Sequence, residues 1–207
     1  MDKLKIEDFT QEEEFIFNPA EILAECLINP EEDLPKPPIA ISIGYKYNED
    51  VPLVTYGNIC AIVGASKSMK SFLKSAFLAC YIGGQAQNYF DDIKGHDTKG
   101  KYIIDIDTEQ GKYHVQRTTR RVNTMVGNNY GGYKSFALRP KTPKERVLFI
   151  EWILTESDFA GKIGVLSIDG AADLVEDVND LKASNEITQK MMTWSDEHNL
   201  AIITVIH

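Results

Sequence analysis

Cysteine is scarce. There are three in 207 residues, Cys26, Cys60 and Cys80, and their spacing matches no metal-ligand pattern. The odd number offers no disulfide framework, so the expected compartment is reducing, with Cys60 and Cys80 as buried thiols in core elements. Long apolar runs are also missing. None approaches the roughly 20 residues of a membrane helix, and the opening Met1-Asp2-Lys3-Leu4-Lys5 lacks the apolar region of a signal peptide. These absences predict a cytoplasmic chain with no membrane partner. What is present, 43% hydrophobic and 26% charged residues, suits one globular domain of ordinary size.

Positive charge is scarce except in one stretch. The net charge is −9, yet residues 112–146 carry nine bases (Lys112, Arg117, Arg120, Arg121, Lys134, Arg139, Lys141, Lys144, Arg146) against Glu145 alone. Residues 1–38 and 147–207 each hold 11 acids and 3 bases. A block of +8 in an acidic chain predicts one face turned toward a polyanion such as DNA or toward a subunit; a solvated face neutralised by its acidic neighbours is the alternative.

Residues 1–38 read as an acidic arm, with one short helix over Pro19–Leu27 capped by Asn18 and a stiff Pro35-Lys36-Pro37-Pro38 linker. From residue 39 the pattern is α/β. Ile39–Tyr45 and Leu53–Gly57 predict a hairpin turning at Asn48-Glu49-Asp50 and laid against the first core strand, and Asn88–Gly100 reads as a polar loop. Core strands are expected at 58–63, 101–107, 135–138, 162–169 and 200–206. Helices are expected from Phe72 to Gly83-Gly84, over 112–126, over Pro143–Ser157 and over Ser184–His198. In the first of these, Phe72, Leu73, Ala76, Phe77, Cys80 and Tyr81 form the expected apolar face. The chain stops inside an apolar strand, an unusual place for a natural terminus, so the native protein is expected to continue past His207.

The chemistry concentrates between the first core strand and the first core helix. Gly64-Ala65-Ser66-Lys67-Ser68-Met69-Lys70-Ser71 is one residue away from the phosphate-loop pattern G-x-x-x-x-G-K-[ST], with Met69 where glycine is expected. A strand, a loop and a helix in that order aim backbone N–H groups and the positive end of a helix dipole at phosphate. On this reading Lys70 reaches the β/γ-phosphates and the Ser71 hydroxyl ligates Mg²⁺. Position 69 adjoins the helix start, so Met69 is expected to take helical dihedrals and turn its side chain away. Asp105, Asp107 and Glu109, spaced two apart, would point the same way from an extended chain. Asp169, ending the apolar run 163–168, has the form of the carboxylate that holds Mg²⁺ through water.

Taken together, GASKSMKS at 64–71, YIIDIDTEQG at 102–111, IGVLSIDGAADLV at 163–175 and AIITVIH at 201–207 resemble a RecA-like P-loop ATPase. The nearest group is the RepA-type hexameric helicases of plasmids and mobile elements. That resemblance covers residues 39–207. It implies a mostly parallel sheet with helices on both faces, preceded by the hairpin, with the last strand beside the phosphate-loop strand and the Asp169 strand next to it. It further implies ATP and Mg²⁺ as cofactors, Glu109 as the residue that polarises the attacking water, Asp169 as the magnesium residue and His207 as a polar sensor. A homo-oligomer acting on DNA in replication or mobilisation follows from it as well. Two other readings stand beside this one: a nucleotide-binding regulatory module with negligible hydrolysis, and a structural adaptor with a vestigial loop.

Overall fold

The computed structural model describes residues 17–65, 67–177 and 180–206; Ser66 and His207 lie outside them. The chain divides into two units, residues 1–36 and 37–207. In the first, helix α1 (Pro19–Cys26) is capped as its sequence predicts: the Asn18 side chain accepts from the Glu21 N–H, and Pro19 occupies the first turn. None of the residues of α1 is buried.

The second unit carries two sheets. Strands β1 (Ile39–Lys46) and β2 (Glu49–Thr55) form the expected hairpin. Its turn falls earlier than predicted, at Tyr47-Asn48, between the paired Lys46 and Glu49. Both residues have positive φ, 54° and 65°, the conformation that a two-residue hairpin turn needs to match strand twist. The hairpin is completed by strand β4 (Ile93–Gly95), inside the stretch predicted to be a polar loop, giving the antiparallel order β2-β1-β4. A three-residue strand holding Lys94 and Gly95 offers too little apolar alternation to stand out in sequence. Its backbone passes so close to the first core helix that a Cβ on Gly95 would meet the Tyr81 carbonyl oxygen.

The larger sheet is all parallel, with β3 (Ile59–Val63), β5 (Tyr102–Asp107), β6 (Tyr133–Ala137), β7 (Ile163–Asp169) and β8 (Ala201–Ile206) in the order β3-β8-β7-β5-β6. β8 thus lies beside β3 with β7 next to it, as the resemblance implies. The crossovers are α2 (Lys70–Ile82), α3 (Lys112–Val126), α4 (Pro143–Thr155) and α5 (Leu181–Glu197). Residues of alternate parity along the strands separate into two cores. Ile62, Ile103, Val165, Ile203 and Val205 pack with Phe77, Leu78 and Tyr81 of α2 and Val122 and Val126 of α3. Ile104, Ile106, Leu166, Ile168 and Ile202 pack with Ile150, Ile153 and Leu154 of α4 and Ile187, Met191 and Trp194 of α5.

Two expectations about helix faces are corrected. Phe72 and Leu73 lie on the outer side of α2 and are about two-fifths exposed, while Lys74 and Ser75 are fully buried. The inward face of α2 therefore takes in Lys74 and Ser75 in place of Phe72 and Leu73. The basic stretch 112–146 also does not form one face. Helix α3 packs into one core and α4 into the other, on opposite sides of the sheet, and Arg146 is buried.

Candidate phosphate-binding site

Five parallel strands end on the same side of the sheet, and the crevice outside those ends is where open α/β sheets bind ligands. The loop after β3 comes first. Ser68 N–H donates to the Ala65 carbonyl at 3.3 Å, tightening the turn before α2. Lys67 and Met69 both have φ of 64°, the left-handed region. The expectation of helical dihedrals at Met69 is therefore wrong: position 69 takes the conformation that explains the usual glycine. A side chain there costs about 1–2 kcal/mol. That side chain is exposed, at 69%, and it lines the pocket at the loop.

Lys70, the first residue of α2, is 5% exposed. Its ammonium donates to the carbonyls of Gly64 at 2.6 Å and Ala65 at 2.8 Å. Among the described residues no carboxylate pairs with it, so a buried cation is met only by neutral acceptors at the positive end of a 13-residue helix. That balance fits an anion. Ser71 follows it, half-buried, in the first turn. Lys67, Ser68, Met69, Lys70, Ser71, Phe72 and Arg121 line one pocket of about 390 Å³. Arg121 brings its guanidinium from α3 over the Phe72 ring, 5.8 Å from the centroid.

Under the loop lies a constellation that motif reading missed. The Lys74 ammonium is 2.9 Å from Asp105 Oδ1 and 3.1 Å from Asp169 Oδ2, with all three side chains almost wholly buried. Tyr133 donates its hydroxyl to the other Asp105 oxygen at 2.7 Å. Asp105, Asp107 and Asp169 share strand parity with the residues facing α2, and Lys74 is the buried side chain that α2 presents to them. Burial works to lower the pKa of Lys74, but the charges of Asp105 and Asp169 and the bond to Asp105 outweigh it and hold the ammonium above its ordinary value. Its place four residues after Lys70 puts the two lysines on one helix face, but that spacing alone names no partner.

Asp107 closes β5 and turns back on its own chain. Its Oδ1 accepts the N–H groups of Glu109 at 3.1 Å and Gln110 at 2.7 Å. Burial raises the Asp107 carboxyl above the ordinary range, against the lowering pull of the Gln110 N–H and Lys74. The extended alternation thus stops at Asp107, and Glu109 stands exposed just past the strand end. Asp107 and Asp169 are register partners on β5 and β7, so the two acids end neighbouring strands side by side.

The strand-end loops are fixed to one another. Thr108 Oγ1 lies 2.9 Å from the carbonyls of Asp169 and Gly170 and 3.0 Å from Asp173 Oδ2. Gly170 has φ of 94°, and a Cβ there would collide with Thr108 Oγ1, so glycine is required. The buried Arg146 guanidinium donates to the carbonyls of Leu138, Arg139, Thr108 and Asp173, tying together the loops after β5, β6 and β7. This residue, counted in the basic block, acts as a backbone clamp.

A larger depression, about 950 Å³, lies between α4 and α5 and is lined by Leu154, Trp194 and solvated polar side chains. The Lys190–Glu151 ion pair at 2.6 Å joins its two helices. Its walls are helix faces and include no strand end, so size and chemistry point to different places, and the buried charges lie at the loop between β3 and α2. Among the described residues no group of three or more His, Cys, Asp or Glu side chains could hold a metal ion by itself. No helix among them is long and apolar enough to cross a membrane. Comparison with protein-family models matched none, and no curated protein sequence is similar to this chain.

Proposed function

We propose that residues 37–207 form a Mg²⁺-dependent ATP-binding and ATP-hydrolysing domain of the RecA-like P-loop class. The observation that carries this reading is Lys70: a buried ammonium held by loop carbonyls at a helix N-terminus, beside strand ends that carry Asp107 and Asp169. Phosphate is the anion that a loop between a parallel strand and a helix N-terminus ordinarily accepts.

The residues present suit Mg-ATP. Magnesium keeps most of its water and takes only one or two protein ligands beside phosphate, so a preformed cage of acids is not needed. Ser71 and Asp169 are the residues that would hold it, and the ion would neutralise phosphate charge during transfer. Lys70 would leave the loop carbonyls for phosphate oxygens. Glu109, exposed past β5 on the same side of the sheet, would orient and deprotonate the attacking water. The N–H groups of the 64–71 loop would bind the phosphates. The role of His207 as a sensor rests on the family resemblance alone, as do assembly into a homo-oligomer and action on DNA in replication or mobilisation of a genetic element.

The test is thermal and kinetic. ATP at 100 times its Kd adds about 2.7 kcal/mol of stability, read as a raised melting temperature, and Lys70→Ala abolishes that shift with the nucleotide-free fold intact. Glu109→Gln keeps the shift and loses turnover. If the wild type binds Mg-ATP but turns it over no faster than Glu109→Gln, the chain is a nucleotide-binding regulatory module. No nucleotide-dependent shift at all would leave the loop vestigial.

A further inference from the structure

Thr108 follows the last residue of β5 and is 1% exposed, although its neighbour Glu109 is open to solvent. A buried hydroxyl needs acceptors, and this one has three within reach, all at or just past the end of β7. They are the carbonyls of Asp169 and Gly170 at 2.9 Å and Asp173 Oδ2 at 3.0 Å. The Thr108 N–H donates to the same Asp169 carbonyl at 3.1 Å. Glu109, one residue on, is held at two points. Asp107 Oδ1 accepts its N–H at 3.1 Å, and its Cγ lies where a Cβ on Gly170 would come within 2.9 Å. The stem of Glu109 thus rests on the bare α-carbon of Gly170, the residue whose carbonyl the Thr108 hydroxyl approaches.

We propose that Thr108 is a positioning residue for Glu109: its buried hydroxyl pins the turn at 108–110 to the end of β7 and fixes the Glu109 side chain relative to Asp169. The two acids depend on this latch unequally. The Asp169 carboxylate has its own anchor in the Lys74 ammonium, 3.1 Å away on the α2 side. Glu109 is steered through its backbone and stem, which the Thr108 latch holds. Loss of the hydroxyl therefore loosens Glu109 and leaves Asp169 in place. The use of Glu109 to orient water rests on the ATPase reading; the bonding of Thr108 to the end of β7 does not.

The test compares Thr108→Ala with Thr108→Ser, which differ by the hydroxyl alone, first by amide hydrogen exchange without nucleotide and then with Mg-ATP. Without nucleotide, Thr108→Ala is expected to speed exchange about tenfold at residue 108, Glu109 and Gln110, with Ile104 and Leu166 inside the strands unchanged. Thr108→Ser stays within about twofold of the wild type at all five positions. With Mg-ATP, Thr108→Ala is expected to keep the wild-type Kd and lose turnover by about tenfold or more, and Thr108→Ser to restore it. Should the cavity left by alanine prevent folding, Thr108→Val fills it without a donor and is read in the same way. Failure of both to fold, or faster exchange throughout the sheet with ATP affinity and turnover lost together, marks a merely structural threonine and overturns the proposal. Wild-type exchange at 108–110 in folded Thr108→Ala overturns it as well. If 108–110 loosen while no protein binds ATP, the latch stands and the ATPase reading falls. If the wild type turns ATP over in a Lys70-dependent way and Thr108→Ala does so equally fast, this inference alone is overturned.

Discussion

Lys74 and Asp169 meet at 3.1 Å in the interior, joining the first core helix to the central strand β7. Removing one partner of such a pair leaves the other charge in a medium that cannot solvate it. Lys74→Met is therefore expected to lower unfolding stability by about 3–5 kcal/mol, read from denaturant midpoints at neutral pH.

The same lysine sets a limit at alkaline pH. Lys74 is held above its ordinary 10.5, and Tyr81 is raised above 10.0 by burial and its bond to Tyr56; burial and Asp105 raise Tyr133 likewise. Each group keeps its proton in the fold at a pH where the unfolded chain has released it. Their contribution is complete below about pH 10 and falls as pH rises further. Unfolding midpoints measured from pH 8 to 11 should decline above pH 10, and Tyr81→Phe should flatten that decline.

Met69 carries a backbone cost that glycine would not. With φ of 64°, Met69→Gly relieves about 1–2 kcal/mol of strain and returns part of it as unfolded-chain entropy. A net gain of roughly 0.5–1 kcal/mol is expected from urea unfolding. A loss would show that the exposed methionine side chain makes a contact worth more than the strain.

Arg146 predicts a charge-independent loss. Its guanidinium serves four carbonyls from three loops, so Arg146→Lys, with one ammonium in place of a planar fork, should recover little of the stability lost in Arg146→Ala. The expected loss for the alanine variant is about 3 kcal/mol, measured by chemical denaturation.

For DNA, the bases still available are the exposed ones on α3 and before α4. If Lys112, Arg117 and Arg120 contact phosphate, replacing all three with glutamine should reduce the slope of log affinity against log salt by roughly 2–3. Binding with an unchanged slope would place the DNA elsewhere, and no binding at low salt would leave α3 a solvated face.

Apolar periodicity made the parallel sheet and its helices legible, because strands buried on both faces and helices with one apolar stripe leave strong patterns. It failed where tertiary contact overrode local pattern. β4 is held by pairing with β1 more than by its own three residues, and the turn at Tyr47-Asn48 depends on a backbone geometry that those letters do not advertise. At the site, the loop between β3 and α2 and the acids that end β5 and β7 were readable. Lys74 was not, since a lysine inside a helix ordinarily signals a solvated face, and only the packing of α2 over β5 and β7 reveals its partners. Met69 shows the reverse error: its place beside a helix start suggested helical backbone, whereas the loop imposes left-handed geometry.

The position of β8 bears on how the protein is made. β3 and β7 are each bonded to β8 and not to one another, so the sheet has a gap at its middle until residues 201–206 leave the ribosome. During synthesis β3 waits beside α2 with no neighbour on either edge, while β5, β6 and β7 can already pair. The loop after β3 therefore gains its rigid base only once β8 is made, and a nascent chain shorter than 201 residues holds β3 as an unpaired strand exposed to chaperones and to other chains.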